Sequence, residues 1–222
     1  MDPIPPFIFY TERRLVALTG RKACNLPELV THLREVTGAS IFYHTHQHYL
    51  ARHFEKPVVY NDFAEWTRHG LQEPRLAEQL AAIDLLSFTS LRELREAIIA
   101  AIERFLAETG GRVRACPPGD EFHFSNSKSF VMRTGIIAEN AGDLIAKLPH
   151  VTNVSLFYHF FEARLRLERP TNDFSAWLGD AGEPELAAEI DRLNPYLSTL
   201  DELKEQIAAL CARHAARRQE GR

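Results

Sequence analysis

The sequence predicts a mostly α-helical protein, or an α+β one with one or two short strands in each half. It is expected to consist of two tandem homologous units related by a pseudo-two-fold axis. Three observations lead there. Ser40-Ile41-Phe42-Tyr43-His44 returns as Ser155-Leu156-Phe157-Tyr158-His159. Asn61-Asp62-Phe63 followed by Trp66 returns as Asn172-Asp173-Phe174 followed by Trp177. Leu26, Leu29, Val30, Leu33 and Val36 form one helical apolar stripe, matched by Ala141, Leu144, Ile145, Leu148 and Val151. A pattern that a chain repeats marks what its fold needs twice.

The repeat register is 115 residues from Phe7/Phe122 to His44/His159. It falls to 111 at Asn61/Asn172, 110 at Leu76/Leu186 and 109 at Leu94/Leu203, so length changes fall between elements, the first around Glu55–Tyr60. Surface loops absorb such insertions at little cost. Two copies of this length resemble a fused dimer more than a solenoid. The division is 1–109 for the first unit, 110–121 for a Gly- and Pro-punctuated linker, and 122–222 for the second.

Each copy opens with alternation, Phe7-Ile8-Phe9-Tyr10 and Phe122-His123-Phe124-Ser125, which fits a short strand. A loop is expected next, ending in Thr19-Gly20 or Thr134-Gly135, where the glycine answers a positive φ or a close backbone approach. The first helix starts at a capping box, Asn25 with Glu28 and Asn140 with Asp143. Pro27 suits its first turn. Ser40 and Ser155 read as caps of a second helix, although Ala163-Arg164-Leu165-Arg166-Leu167 alternates like a strand. The Asn-Asp-Phe corner starts a third helix, Leu76 to Ile83 marks a fourth, and Ser90 with Glu93 opens the longest.

Composition is that of an ordinary soluble globular protein, with 45% hydrophobic and 25% charged residues. A net charge of −4 gives no reason to expect nucleic acid or anionic lipid as partner. The basic run from Arg213 to Arg218 reads as a helix end whose cations suit the dipole. Cys24, Cys116 and Cys211 are too few and too scattered for a disulfide framework or a zinc site, so reduced thiols and a cytoplasmic location are expected. The N-terminus does not read as a signal peptide, and no apolar run approaches the roughly 18 residues of a membrane span.

The shared polar set is Tyr43, His44, Asn61 and Asp62 in copy one, and Tyr158, His159, Asn172 and Asp173 in copy two. It reads either as a binding or acid–base constellation or as a polar pin holding each unit. His44-Thr45-His46-Gln47-His48 offers metal-ligand spacing, but only its first histidine recurs, so no metal is expected and an exposed polar helix face is the reading. Trp66 and Trp177 read as core anchors. No nucleophile elbow, zinc-protease helix, phosphate loop or dinucleotide fingerprint is present, and no cofactor is implied.

The pattern Phe-x-Phe, Thr-Gly, Ala-x-Asn, Ser-(Ile/Leu)-Phe-Tyr-His, then Asn-Asp-Phe-x-x-Trp resembles an uncharacterised prokaryotic family, domain of unknown function 5752, once per half. The resemblance implies no activity. The leading expectation is a non-catalytic binding or regulatory module. Its cleft between the repeats would be flanked by Tyr43, His44, Asp62, Tyr158, His159 and Asp173, and would take a small polar ligand or a protein partner. One alternative is a hydrolase or a sugar- or nucleotide-modifying enzyme using His159 and Asp173 as acid and base. The other is an interaction scaffold with an exposed apolar face on 98–106.

Overall fold

The structure, a computed structural model, describes residues 4–47, 50 and 61–220. The protein is mostly helical, with a two-stranded antiparallel sheet made of β1 (Phe7–Ala23) and β2 (Phe122–Ala138). The described residues form two compact units. Unit I holds 14–47, 50 and 61–129; unit II holds 4–13 and 130–220. Each long strand therefore begins in one unit and ends in the other, whereas the sequence division at 109 and 122 follows the repeats.

The strands are long, 17 residues each, where short ones were expected. The reason lies in Thr19-Gly20 and Thr134-Gly135, which are bulges rather than loops. Gly20 and Gly135 adopt φ of 76° and 83°. The Thr19 hydroxyl donates to the Phe124 carbonyl at 2.7 Å and accepts the Arg21 N–H at 3.2 Å. Thr134 does the same with Phe9 and Ile136, at 2.9 and 3.1 Å. The side chain thus carries the ladder past the left-handed glycine.

In unit I, α1 (Leu26–Glu35) starts at Asn25, which accepts the Glu28 N–H at 3.0 Å while the Glu28 carboxylate takes the Cys24 N–H at 2.8 Å. That backbone bond, more than any other contact, lowers the Glu28 pKa. Thr37, not the buried Ser40, stands at the N-terminal cap position of the next helix, α2 (Gly38–Phe42), although its hydroxyl donates to Asn126 at 3.2 Å and not to the helix. The helix runs into a π-helical turn, Tyr43–Gln47. Then come α3 (Asp62–His69), α4 (Pro74–Ala81) and α5 (Leu91–Glu108), the last capped by Ser90. The segment around Glu55–Tyr60 lies outside the described residues.

Unit II repeats the order with α6 (Ala141–Lys147), α7 (Asn153–Phe157), a π-turn (Tyr158–Glu162) and α8 (Ala163–Leu167), a helix where alternation suggested a strand. It closes with α9 (Asp173–Asp180), α10 (Pro184–Asp191) and α11 (Leu200–Glu220). Thr152, not Ser155, caps α7; the Ser155 hydroxyl instead donates to the Tyr10 carbonyl at 2.5 Å.

Each unit has its own core. In unit I, Leu29, Leu33, Ile41, Phe63, Leu94 and Ile98 are buried together with Phe122 and Phe124. In unit II, Leu144, Leu156, Phe157, Phe160, Phe174 and Leu203 are buried together with Phe7 and Phe9. The proposed scaffold face on α5 is not exposed, because Ile98, Ile99, Ile102 and Phe105 are all buried. No helix among the described residues is long and apolar enough to cross a membrane.

Gly20→Ala tests the bulge. A Cβ there meets nothing within 4 Å, so the expected loss is conformational alone, about 1–2 kcal/mol in urea unfolding. Gly20→Asn is expected to lose less, because Asn tolerates the left-handed region.

Candidate functional site

The six residues singled out by the repeat fall into two trios, one in each unit. In unit I the π-turn carries Tyr43 and His44, and Asp62 begins α3. Asn61 caps that helix by accepting the Ala64 N–H at 2.9 Å, and its amide donates to the Leu80 carbonyl at 3.0 Å. This fixes Asp62 beside the turn. His44 Nε2 accepts the Ser125 backbone N–H at 3.0 Å, and Nδ1 lies 2.8 Å from Asp62 Oδ2. A nitrogen that accepts an N–H carries no proton, so the proton sits on Nδ1 and is donated to Asp62.

Unit II builds the same joint. His159 Nε2 accepts the Tyr10 N–H at 2.8 Å, and Nδ1 faces Asp173 Oδ2 at 2.7 Å. The two rings are 3% and 2% exposed, so neither is an open acid or base. Burial holds the His159 pKa below the usual histidine range, against the pull of Asp173. Each joint ties a strand amide to a helix N-terminus through one imidazole. The rings lie tilted against the opening phenylalanines, His44 against Phe122 at 4.7 Å and His159 against Phe7 at 4.9 Å between centroids.

The expected exposed histidine face is absent. Thr45 and His46 are buried with His44. The Thr45 hydroxyl donates to the Ile41 carbonyl at 2.7 Å, so it accepts from His46 Nδ1 at 2.8 Å. His46 lies flat on Phe42, 5.1 Å between centroids. Burial, reinforced by the Arg14 charge, pushes its pKa down to about 4. His48 and His53 lie outside the described residues. Among the described residues no three His, Cys, Asp or Glu side chains gather to hold a metal ion.

A cleft of about 570 Å³ opens beside the unit I joint, lined wholly by residues of that unit. Tyr43, His44 and Asp62 line it, with Glu65, Trp66 and His69 from α3 and Asp120 to His123 from the approach to β2. Trp66 is half-buried rather than a core anchor. Its indole N–H needs an acceptor and finds the Asp120 carbonyl at 2.6 Å, which holds the ring at the cleft wall. Gly70 makes room for it, since a Cβ there would sit 2.8 Å from the ring. Trp177 is half-buried likewise, on the Pro5 carbonyl at 2.8 Å. Glu121 takes the Gly119 N–H at 3.0 Å and pairs with Lys22 at 3.2 Å. Its own backbone N–H and Lys22 keep its pKa below the ordinary value.

In unit II the corresponding corner holds a cation of its own. The Arg166 guanidinium lies 4.2 Å over the Tyr158 ring and donates to Asp173 at 2.5 Å and to the Tyr158 carbonyl at 3.3 Å.

The family model for a family of unknown function, DUF5752, matches residues 4–212 as a single stretch. The chain belongs to that family. The resemblance read from sequence placed the family pattern once in each half; the model takes the whole stretch at once. The solved structure of OrfY from Thermoproteus tenax is similar to this DUF5752 chain, with a TM-score of 0.80 at 27% identity over 94% of this chain and 95% of that one. No curated protein compared with the chain matches it.

Sequence reasoning found both trios but missed Glu65, Asp120 and Glu121, which have no counterpart in the repeat: Ala176, Pro5 and Pro6 stand at the matching positions. That difference between copies was the available signal.

His44→Ala removes the buried acceptor of the Ser125 N–H and opens a cavity. The expected loss is about 3–5 kcal/mol in chemical unfolding. His46 gives a pH signature. The unfolded chain takes up a proton near pH 6.5, while the folded ring stays neutral down to about 4, so stability is complete above 6.5 and falls as pH drops toward 4. Between pH 6.5 and 5 wild type should lose about 2 kcal/mol more than His46→Phe.

Proposed function

We propose that the protein is a non-catalytic binding or regulatory module, and that the unit I cleft takes a small polar ligand carrying a cationic group. The observation that carries this is the lining. The carboxylate residues Asp62, Glu65, Asp120 and Glu121 stand around the rings of Tyr43, Trp66 and Phe122. Carboxylates beside aromatic faces favour guanidinium and ammonium groups over anions.

Two further facts support the reading. Arg166 on Tyr158 and Asp173 shows, within the same chain, that a tyrosine–aspartate corner of this kind accepts a guanidinium. Both shared histidines have both ring nitrogens engaged, which favours binding over acid–base chemistry. The matched registers and the matched histidine joints also support a duplicated ancestral module, with the ligand site specialised in one copy.

Isothermal titration with agmatine, which carries a guanidinium and an ammonium, tests the proposal. Saturable binding is expected, weakened about 5- to 30-fold by Tyr43→Ala and by Glu65→Gln. Binding of a sugar phosphate but not agmatine would remove the cationic part. A turnover abolished by both His44→Ala and His159→Ala, in variants that remain folded, would overturn the non-catalytic reading in favour of the enzyme.

A further inference from the structure

Cys24 and Cys116 are far apart in sequence, yet the fold sets them opposite one another. Cys24 follows the last residue of β1, and Asn25 forms an antiparallel bridge with Ala115. One step along that bridge, the Cys116 N–H donates to the Cys24 carbonyl at 2.8 Å. Residues facing each other across an antiparallel pair carry their side chains on the same face, with Cβ atoms about 4.5–5.5 Å apart. A disulfide needs about 3.5–4.5 Å, so a small approach closes the gap. Both thiols are partly exposed, whereas Cys211 is buried.

We infer that Cys24 and Cys116 are an oxidative modification site that closes to an intramolecular disulfide. A small disulfide of the glutathione type supplies the oxidising equivalents. The thiolate of one cysteine attacks that disulfide, forming a mixed disulfide and releasing one small thiolate. The second cysteine, as thiolate, then displaces the remaining small thiolate and forms the protein S–S bond. Two protein thiols are oxidised and one small disulfide is reduced to two thiols. Burial raises the Cys116 pKa, and the facing Cys24 and Glu121 raise it further, which lowers its thiolate fraction and slows its step at neutral pH.

The bond has a structural consequence. Cys116 lies just ahead of Asp120 and Glu121, and Lys22, two residues before Cys24, already pairs with Glu121. Closure therefore anchors covalently the segment whose Asp120 carbonyl holds Trp66. It also closes a loop of about 90 residues, long enough to restrict the unfolded chain substantially.

The test is incubation of the folded wild-type protein with glutathione disulfide, followed by thiol counting under denaturing conditions, intact mass and peptide mapping. The expected result is loss of two of three thiols, a Cys24–Cys116 cross-linked peptide, and a Tm about 5–10 °C above the reduced form. Cys211→Ser should keep the cross-link and Cys116→Ser should lose it. Retention of all three thiols, a cross-link through Cys211, or only intermolecular dimers would overturn the inference. Because the mapping is done on wild type, a Cys116→Ser chain that fails to fold leaves the result decisive.

Discussion

One imidazole in each unit joins a strand amide to the first residue of a helix. His44 takes a strand amide on Nε2 and gives its Nδ1 proton to Asp62; His159 does the same with Tyr10 and Asp173. The strand amide is shielded and has a buried ring nitrogen as its acceptor, so losing the ring costs more than losing a surface hydrogen bond. It also fixes register. The accepting nitrogen meets the amide one residue past the Phe-x-Phe pair, which places Phe122 and Phe124, or Phe7 and Phe9, in the core. The π-turns matter here because they start at Tyr43 and Tyr158 and so set the rotation of the following histidine.

From that joint the remaining features follow in sequence. The Phe-x-Phe openings pack tilted and edge-on against the imidazoles. The strands continue because threonine hydroxyls bridge the glycine bulges, and the tryptophans strap the segments that lead into the strands. In unit I the same strap forms a wall of the cleft. His44, which lines the cleft, therefore helps to shape it. The chemistry of its rim comes from Glu65, Asp120 and Glu121, all in unit I.

Much of this was legible in the sequence. The caps at Asn25, Asn140, Asn61, Asn172 and Ser90 sit where the side-chain chemistry requires, since short-range hydrogen bonds are encoded by neighbouring residues. Left-handed glycines after Thr19 and Thr134 were legible for the same reason. Strand length was not, because Thr-Gly looks like a turn until the opposite carbonyl of Phe124 or Phe9 is in view. The burial of His46 escaped notice because its polarity suggests a wet face, and only Phe42 and Thr45 make the dry site tolerable. The Cys24–Cys116 approach had no local signature at all, since it depends on where the segment before β2 returns. Ser40 and Ser155 looked like caps, yet Thr37 and Thr152 stand at the helix starts, only Thr152 with a side-chain bond, and the serines lie inside.

The central claim is that His44 and His159 are neutral joints with the proton on Nδ1. Long-range nitrogen–proton correlation NMR on the imidazoles at neutral pH tests it most directly. The account predicts an unprotonated Nε2 and a protonated Nδ1 for both rings, with the amides of Ser125 and Tyr10 protected from exchange. A proton on Nε2, or a rapid average of the two tautomers, would contradict it.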